Sequence, residues 1–132
     1  PVRMQDTAEG HAVRAVYLYC AMADLAYEYQ DEGLLHACEK LYDNIIKKRM
    51  YLTGGIGSSG AYERFTTDYD LPNDTNYAES CASIGLALFC RRMLAITGEE
   101  KYAETMDEYS DCRDRTGWKK LLLCKSAGSL AG

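Results

Sequence analysis

Residues 51–83 read YLTGGIGSSGAYERFTTDYDLPNDTNYAESCAS and interrupt a chain that is otherwise patterned as helices. Loops longer than about 12–15 residues without structure of their own are uncommon in compact domains, and are usually functional or disordered. Disorder is disfavoured here because the segment carries many bulky side chains that could anchor it. They include Tyr62, Phe65, Tyr69, Leu71 and Tyr77. The segment also holds two carboxylates, Glu63 and Glu79, and the thiol of Cys81, which together have the composition of a functional site.

Two helices are predicted before this loop. Apolar residues at i, i+3, i+4 and i+7 spacing predict the first over about residues 8–29, with Asp6 or Thr7 as its N-cap. After a short turn, a second apolar stripe predicts a helix over about residues 34–48. The basic run Lys47–Arg49 suits the end of that helix, because cations are favoured at a helix C-terminus. The short connection predicts an antiparallel helical hairpin.

Two more helices are predicted after the loop. The third covers about residues 79–96, and its wide apolar surface predicts that it is largely buried. Thr97 and Gly98 end it, since Gly is the usual residue just beyond a helix. A fourth helix is expected to start at Glu99. The chain is therefore predicted to be all-α, with two helical hairpins, an arrangement typical of helical solenoids and closed α/α barrels.

Composition limits the function classes. The 132 residues carry a net charge of -5, with 47% hydrophobic and 27% charged residues, which indicates one small globular domain. An acidic chain without a basic cluster argues against nucleic-acid binding and against binding to an anionic membrane. We find no signal-peptide pattern and no apolar run approaching transmembrane length, so a cytoplasmic protein is expected. The chain opens at Pro1 instead of Met, so we expect it to be part of a longer protein.

The six cysteines are expected to be reduced. Cys20, Cys38 and Cys90 lie within helical patterns beside small apolar residues, where free Cys behaves as a small buried hydrophobe. Cys81 differs because Glu79 lies two residues before it.

Taken one at a time, the candidate residues have simpler explanations. Glu63 could be a solvated loop carboxylate and Glu79 a first-turn residue that favours the helix dipole. Cys81 could be a core thiol, and His11 a surface or capping residue at the start of a helix. Gly-Gly-Ile-Gly at residues 54–57 lacks the Lys-Ser/Thr of a phosphate-binding loop and is interpreted as a tight backbone turn.

Taken together and in order, the motifs resemble glycoside hydrolase family 127, the β-L-arabinofuranosidase family. The resemblance covers about residues 9–106 and is carried by EGHAVRAVYLYCAMADLA, GGIGS, ERF, DYDLPNDT and YAESCAS. It implies a part of an (α/α)6 barrel, built from helical hairpins, with a long active-site loop. This agrees with the hairpins predicted from periodicity alone.

The resemblance also implies a reaction and a role for each candidate residue. The family releases β-L-arabinofuranose from non-reducing ends with retention of configuration. Glu63 corresponds to the general acid/base, Glu79 and Cys81 to two zinc ligands, and His11 to a contact with sugar hydroxyls. The family's other zinc ligands are an adjacent Cys-Cys pair, one of which is the nucleophile. This chain has no such pair, so the zinc site is expected to be incomplete and the chain by itself inactive.

The residue types suit that chemistry. A retaining glycosidase needs a nucleophile and an acid/base flanking the scissile bond, and a coordinating thiol loses its proton. Glu79 and Cys81 are two residues apart, a spacing that does not place side chains on one helix face. To share an ion, they are expected to lie in an extended segment or in the first turn of the third helix.

The last residues depart from the family pattern. Residues 1–107 are assigned to a partial catalytic domain, and residues 108–132 to an aberrant and poorly ordered tail. Synonymous codons exist for Trp118–Ala131 that, read one base later, spell GKSFFYVNPLEVW, which resembles the family's next strand. The hypothesis is a frameshift in the gene or its assembly.

Two rival interpretations remain open. One is a helical-repeat binding module without chemistry, although no repeat period relates the two hairpins. The other is a structural-zinc protein, although two ligands cannot close a four-coordinate site. The expected partner is a carbohydrate, the arabinofuranoside substrate, and the oligomeric state is left open.

Overall fold

The structure is a computed structural model that describes residues 1–51, 54–72, 74 and 77–114, with residues 108–114 described by their backbone alone. Two helical hairpins flank the loop, as predicted. The helices are α1 (Ala12–Glu28), α2 (Glu32–Asn44), α3 (Ser80–Thr97) and α4 (Glu100–Asp114). A π-helical segment, Ile45–Arg49, continues α2, and short 3-10 turns occur at Val2–Met4 and Ala61–Glu63. Within the described ranges, isolated bridges form but no strand does.

Helix α1 begins later than its apolar pattern predicted. Its N-cap is His11, whose imidazole accepts a hydrogen bond from the backbone N–H of Arg14, so the predicted caps Asp6 and Thr7 are wrong. Gly10 adopts a left-handed φ of 78°, and its carbonyl accepts a hydrogen bond from the loop residue Phe65. This pairing with the loop keeps the residues before His11 out of the helix.

Helix α2 also differs at both ends. Asp31 caps it by accepting a hydrogen bond from the N–H of Leu34 at 2.9 Å, because an Asp side chain satisfies a free N–H of the first turn. At the other end, Lys47 is exposed, but Arg49 is only 6% exposed and pairs with the loop. The basic run therefore does more than complement the helix dipole.

Helix α3 ends as predicted, with Gly98 in the left-handed conformation at a φ of 70°. It is less buried than predicted, since Ile84 is 41% exposed. By length and composition alone, α3 is the one described helix that could span a membrane, although Arg91 and Arg92 interrupt its apolar run. Its packing against α1 and α4 is that of a core helix, which passes the same test.

The core lies between the hairpins, with α1 packed on both α2 and α3. Tyr19 of α1 and Phe89 of α3 are fully buried, with ring centroids 5.8 Å apart. Tyr42 of α2 meets Tyr102 of α4 edge to face at 4.6 Å. Aromatic pairs in these arrangements add attraction beyond the area they bury. Both hairpins thus share one core.

The loop packs on this core through fewer side chains than predicted. Ile56 and Phe65 are buried, whereas Tyr62 is 82% exposed and Tyr69 is 71% exposed. Gly57 has a φ of 93°, and a Cβ there would lie 3.2 Å from that of Ala12, which supports the interpretation of residues 54–57 as a tight turn. Packing therefore fixes the base of the loop, and two of its tyrosines remain at the surface.

Helix α4 starts one residue later than predicted and runs to Asp114, beyond the point where the sequence period fades. The predicted aberrant tail, residues 108–132, falls mostly outside the described residues. Its proposed disorder and the frameshift hypothesis stay predictions.

Candidate active site

His11 and Glu63 are brought together by backbone pairing, although 52 positions separate them in the sequence. The N–H of Phe65 donates to the carbonyl of Gly10 at 2.9 Å, and His11 forms an antiparallel bridge with Arg64. Arg64 also exchanges two backbone hydrogen bonds with Ser59 on the other side. The start of α1 is therefore tied directly to the segment that carries Glu63.

The carboxylate of Glu63 lies between two donors. Nε2 of His11 is 2.9 Å from Oε2, and the hydroxyl of Tyr77 donates to Oε1 at 2.8 Å. Because Nδ1 of His11 accepts from the N–H of Arg14, the network places the imidazole proton on Nε2, pointing at Glu63. The side chain of Glu63 is 39% exposed, so a ligand can reach it.

The backbone that presents Glu63 is unusual. Tyr62 has a φ of 60° and Glu63 a φ of 50°, and both are residues with a Cβ. Such left-handed conformations are uncommon outside Gly and Asn, cost of order 1 kcal/mol or more each, and concentrate at functional sites. The backbone is therefore strained where it presents the carboxylate of Glu63. A Glu at an ordinary surface position requires no such strain.

Glu79 and Cys81 lie at the start of α3. Glu79 is the N-cap, with an extended backbone and no capping hydrogen bond from its side chain, and Cys81 is an exposed residue of the first turn. This is the location that the two-residue spacing required. Glu63 raises the pKa of the Tyr77 hydroxyl through their hydrogen bond, and the charges of Glu79 and Cys81 raise it further. Tyr77 therefore links the carboxylate of Glu63 to the N-terminus of α3.

The other described thiols are unlike Cys81. Burial raises the pKa of Cys38 and Cys90 to about 12, and raises that of Cys20. All three are free and buried, as the sequence predicted. Cys81 alone among the described cysteines is at the surface.

The donors of Glu79 and Cys81 suit zinc, which binds thiolate and carboxylate ligands. Across the described ranges, however, no three His, Cys, Asp or Glu side chains are grouped so that they could hold a metal ion. The part of the chain that the structure describes thus places two donors of types that zinc binds, Glu79 and Cys81, at one helix start.

Sequence reasoning missed Tyr77 as a site residue and treated it as an apolar anchor. The available signal was its position two residues before Glu79, in the same YAESCAS motif. It also missed the contacts of Arg49 with Asp68.

Comparison with known proteins places the chain in a family. The family model for the β-L-arabinofuranosidase GH127 catalytic domain matches residues 1–109. A non-reducing end β-L-arabinofuranosidase of Bifidobacterium longum subsp. longum is 44% identical over 108 residues, which are 82% of this chain and 16% of that protein.

Solved structures agree. A GH127 β-L-arabinofuranosidase from Geobacillus stearothermophilus T6 superposes with a TM-score of 0.81 at 55% identity, covering 83% of this chain and 17% of that one. A second GH127 β-arabinofuranosidase superposes with a TM-score of 0.81 at 44% identity over the same shares. The chain spans about a sixth of the length of these relatives.

These likenesses confirm the predicted fold class, all-α hairpins belonging to an (α/α)6 barrel, and favour an enzyme family over a helical-repeat binding module. The match extends over most of the chain and includes every motif on which the resemblance rested. The chain therefore belongs to glycoside hydrolase family 127, the β-L-arabinofuranosidase family, and corresponds to part of its catalytic domain.

Proposed function

We propose that this chain carries the acid/base part of the active site of a retaining glycosidase that releases β-L-arabinofuranose from non-reducing ends. The observation that supports the proposal best is the contact of Glu63 with His11 and Tyr77, next to the start of α3. Glu63 is the acid/base, His11 contacts the sugar, and Glu79 and Cys81 are zinc ligands.

Glu63 would work in two steps. As the acid, it donates its proton to the glycosidic oxygen while a nucleophile that this chain does not supply displaces the leaving group from the anomeric carbon. As the base, it then removes a proton from the water that displaces that nucleophile and releases the sugar. One N–H donor, from His11, and one O–H donor, from Tyr77, contact its two oxygens and fix the orientation of the carboxylate.

Substrate binding would use the same contact. If a sugar hydroxyl takes the Nε2–H of His11, Glu63 loses one of its two hydrogen-bond donors. His11 would thus couple sugar binding to the position of the Glu63 carboxylate, without touching the leaving group.

Glu79 and Cys81 would hold zinc together with further cysteine ligands. The bound zinc would keep Cys81 and those cysteines deprotonated near neutral pH. This sequence contains no adjacent cysteine pair, so it supplies no nucleophile of the family type. We therefore expect no hydrolysis of an aryl β-L-arabinofuranoside by the purified 132-residue chain, and robust turnover would contradict the assignment.

A chimera tests the role of Glu63. Residues 1–109 would replace the matching segment of the Geobacillus stearothermophilus relative, with which the chain shares 55% identity. Glu63→Gln should lower kcat/KM for an alkyl arabinofuranoside by about 10²–10⁴-fold, the usual contribution of general acid–base catalysis. The loss should be much smaller in the first step with a dinitrophenyl leaving group, which needs no proton.

The matched control is Glu28→Gln, because Glu28 is an exposed carboxylate at the end of α1, away from the loop. It should leave both substrates unaffected. Equal losses for good and poor leaving groups in the Glu63→Gln chimera would show that Glu63 is not the acid.

A further inference from the structure

Arg49 joins three separate parts of the chain. It is buried, 6% exposed, at the end of the π-helical segment that follows α2. Its Nη1 donates to the carbonyl of Ala8 at 2.7 Å and to that of Thr66 at 2.5 Å. Its Nε donates to Oδ1 of Asp68 at 2.9 Å, and its Nη2 lies 2.8 Å from the same oxygen. One guanidinium thus binds the segment before α1 and the loop at once.

The two bound carbonyls are placed symmetrically about the candidate site. Ala8 lies three residues before His11, and Thr66 lies three residues after Glu63. Between them the two segments pair through the Phe65 N–H and the Gly10 carbonyl. Arg49 therefore holds the two paired segments together at one end, and the contact of His11 with Glu63 lies at the other end.

Asn44 and Lys48 complete the network around the ion pair. Asn44 accepts from the N–H of Ala8 at 2.9 Å and donates to Asp68 at 3.0 Å. Lys48 reaches the other oxygen of Asp68 at 3.2 Å. The amide of Asn44 and the guanidinium of Arg49 lower the pKa of Asp68 to about 2. Asp68 is therefore an ionised anchor that holds the guanidinium in one orientation.

The π-helical turn explains how Arg49 reaches this position. A π-type turn contains more residues per turn than an α-helix and occurs frequently at functional sites. Here the turn leaves Lys47 at the surface and buries Arg49 against the loop. Lys could not replace Arg49, because it is a point charge without the planar set of donors that serves two carbonyls and a carboxylate.

We propose that the Arg49–Asp68 pair is a positioning device that sets the separation of His11 and Glu63. It acts through the backbones of Ala8 and Thr66 and touches neither substrate nor the reacting atoms. The proposal takes its catalytic meaning from the role proposed for Glu63. The geometric claim, that the pair controls the contact of His11 with Glu63, can be tested without any turnover.

The test uses the full 132-residue chain labelled with nitrogen-15. Its variants are Arg49→Lys and Asp68→Asn, and Glu63→Gln serves as the reference for a weakened contact. The first readout is the nitrogen-15 spectrum of the His11 imidazole, which reports which nitrogen carries the proton. The second is hydrogen exchange at the Phe65 amide, with the Phe89 amide of α3 as an internal control for global opening.

The expected result is specific to the site. Arg49→Lys should speed Phe65 exchange by about tenfold or more, because bonds from a charged group are lost, and Asp68→Asn should have a smaller effect. In both variants the His11 signal should shift from a single Nε2–H form towards a mixture of tautomers, as in Glu63→Gln. Phe89 exchange should change far less than Phe65 exchange.

The matched control is Arg92→Lys, which alters another Arg–Asp pair, with Asp24, at the surface between α1 and α3. It should leave both signals as in the wild type. An unchanged His11 spectrum in both network variants would overturn the proposal, and so would equal acceleration at Phe65 and Phe89, since the pair would then stabilise the fold as a whole. Loss of the catalytic role of Glu63 in the chimera would leave this geometric result unaffected.

Discussion

Gly85 of α3 lies directly against Val16 of α1, and a Cβ added at Gly85 would overlap Cγ2 of Val16 and lie 3.3 Å from its Cβ. Val16 is fully buried, and a β-branched side chain in a helix has essentially one rotamer, so it cannot turn away. The glycine is therefore what lets α1 and α3 approach closely. This approach places the N-terminus of α3, with Glu79 and Cys81, beside the start of α1, which carries His11.

Gly85→Ala should destabilise the chain despite the higher helix propensity of Ala. Overpacking of a tight core contact costs about 1–3 kcal/mol, which exceeds the gain of about 0.5–1 kcal/mol expected for replacing a helical Gly. The measurement is urea unfolding followed by circular dichroism. The control is Gly33→Ala in α2, where the nearest atom, Oδ1 of Asp31, is at 3.4 Å. An unfolding free energy that is unchanged or raised in Gly85→Ala would show that the helices can separate freely.

The sequence predicted the helices well, because the apolar period that defines each helix is local. It failed at the start of α1 and the end of α2 for a common reason. At both places the chain leaves the helix to bond with the loop, through Gly10 to Phe65 and through Arg49 to Asp68. Such partners are far away in the sequence, so no local period reports them.

Alkylation should separate Cys81 from the other described thiols. At pH 8, a thiol with a pKa of about 12, such as Cys38 or Cys90, is ionised in roughly one molecule in ten thousand, and burial blocks the reagent as well. Peptide-level mass spectrometry after iodoacetamide treatment should find Cys81 labelled at least about 100-fold faster than Cys38 or Cys90. Similar labelling rates for the three thiols would mean that the buried thiols are as accessible to the reagent as Cys81.

Acid should weaken the fold partly through Asp68. Because its pKa in the folded chain is about 2, below the ordinary value of 3.8, its contribution to stability is complete above about pH 4. That contribution is lost as the pH falls from about 4 towards 2, since the unfolded chain then takes up the proton first. Urea midpoints between pH 7 and pH 2.5 should therefore fall less steeply for Asp68→Asn than for the wild type. Parallel curves would show that the Arg49 contact adds no stability in solution.

The candidate site was only partly predictable. The motifs of the family named Glu63 and His11, and the structure places these two residues in contact. Their catalytic roles stay predictions. The sequence indicates a packing role for Tyr77 and helix-dipole compensation for Arg49, because each makes its decisive contact with a residue that is distant in the sequence. Residue type and spacing can indicate chemistry, but they do not reveal which distant backbone a donor will reach.

Zinc should bind the chain weakly, and through Glu79 and Cys81. Closed four-ligand sites in zinc-finger peptides contribute about 10–16 kcal/mol, so two donors should give a dissociation constant of roughly 1 µM to 0.1 mM. Zinc in that range should slow alkylation of Cys81, and EDTA should restore it. Glu79→Gln should raise the zinc concentration needed for protection, whereas Glu28→Gln should not. Alkylation of Cys38 should not respond to zinc, because its thiol is buried in the core. Protection of Cys81 that does not depend on Glu79 would contradict the two-donor site, because Glu79 would then not be a donor. Protection that persists at nanomolar zinc would also contradict it, because such tight binding requires donors beyond these two.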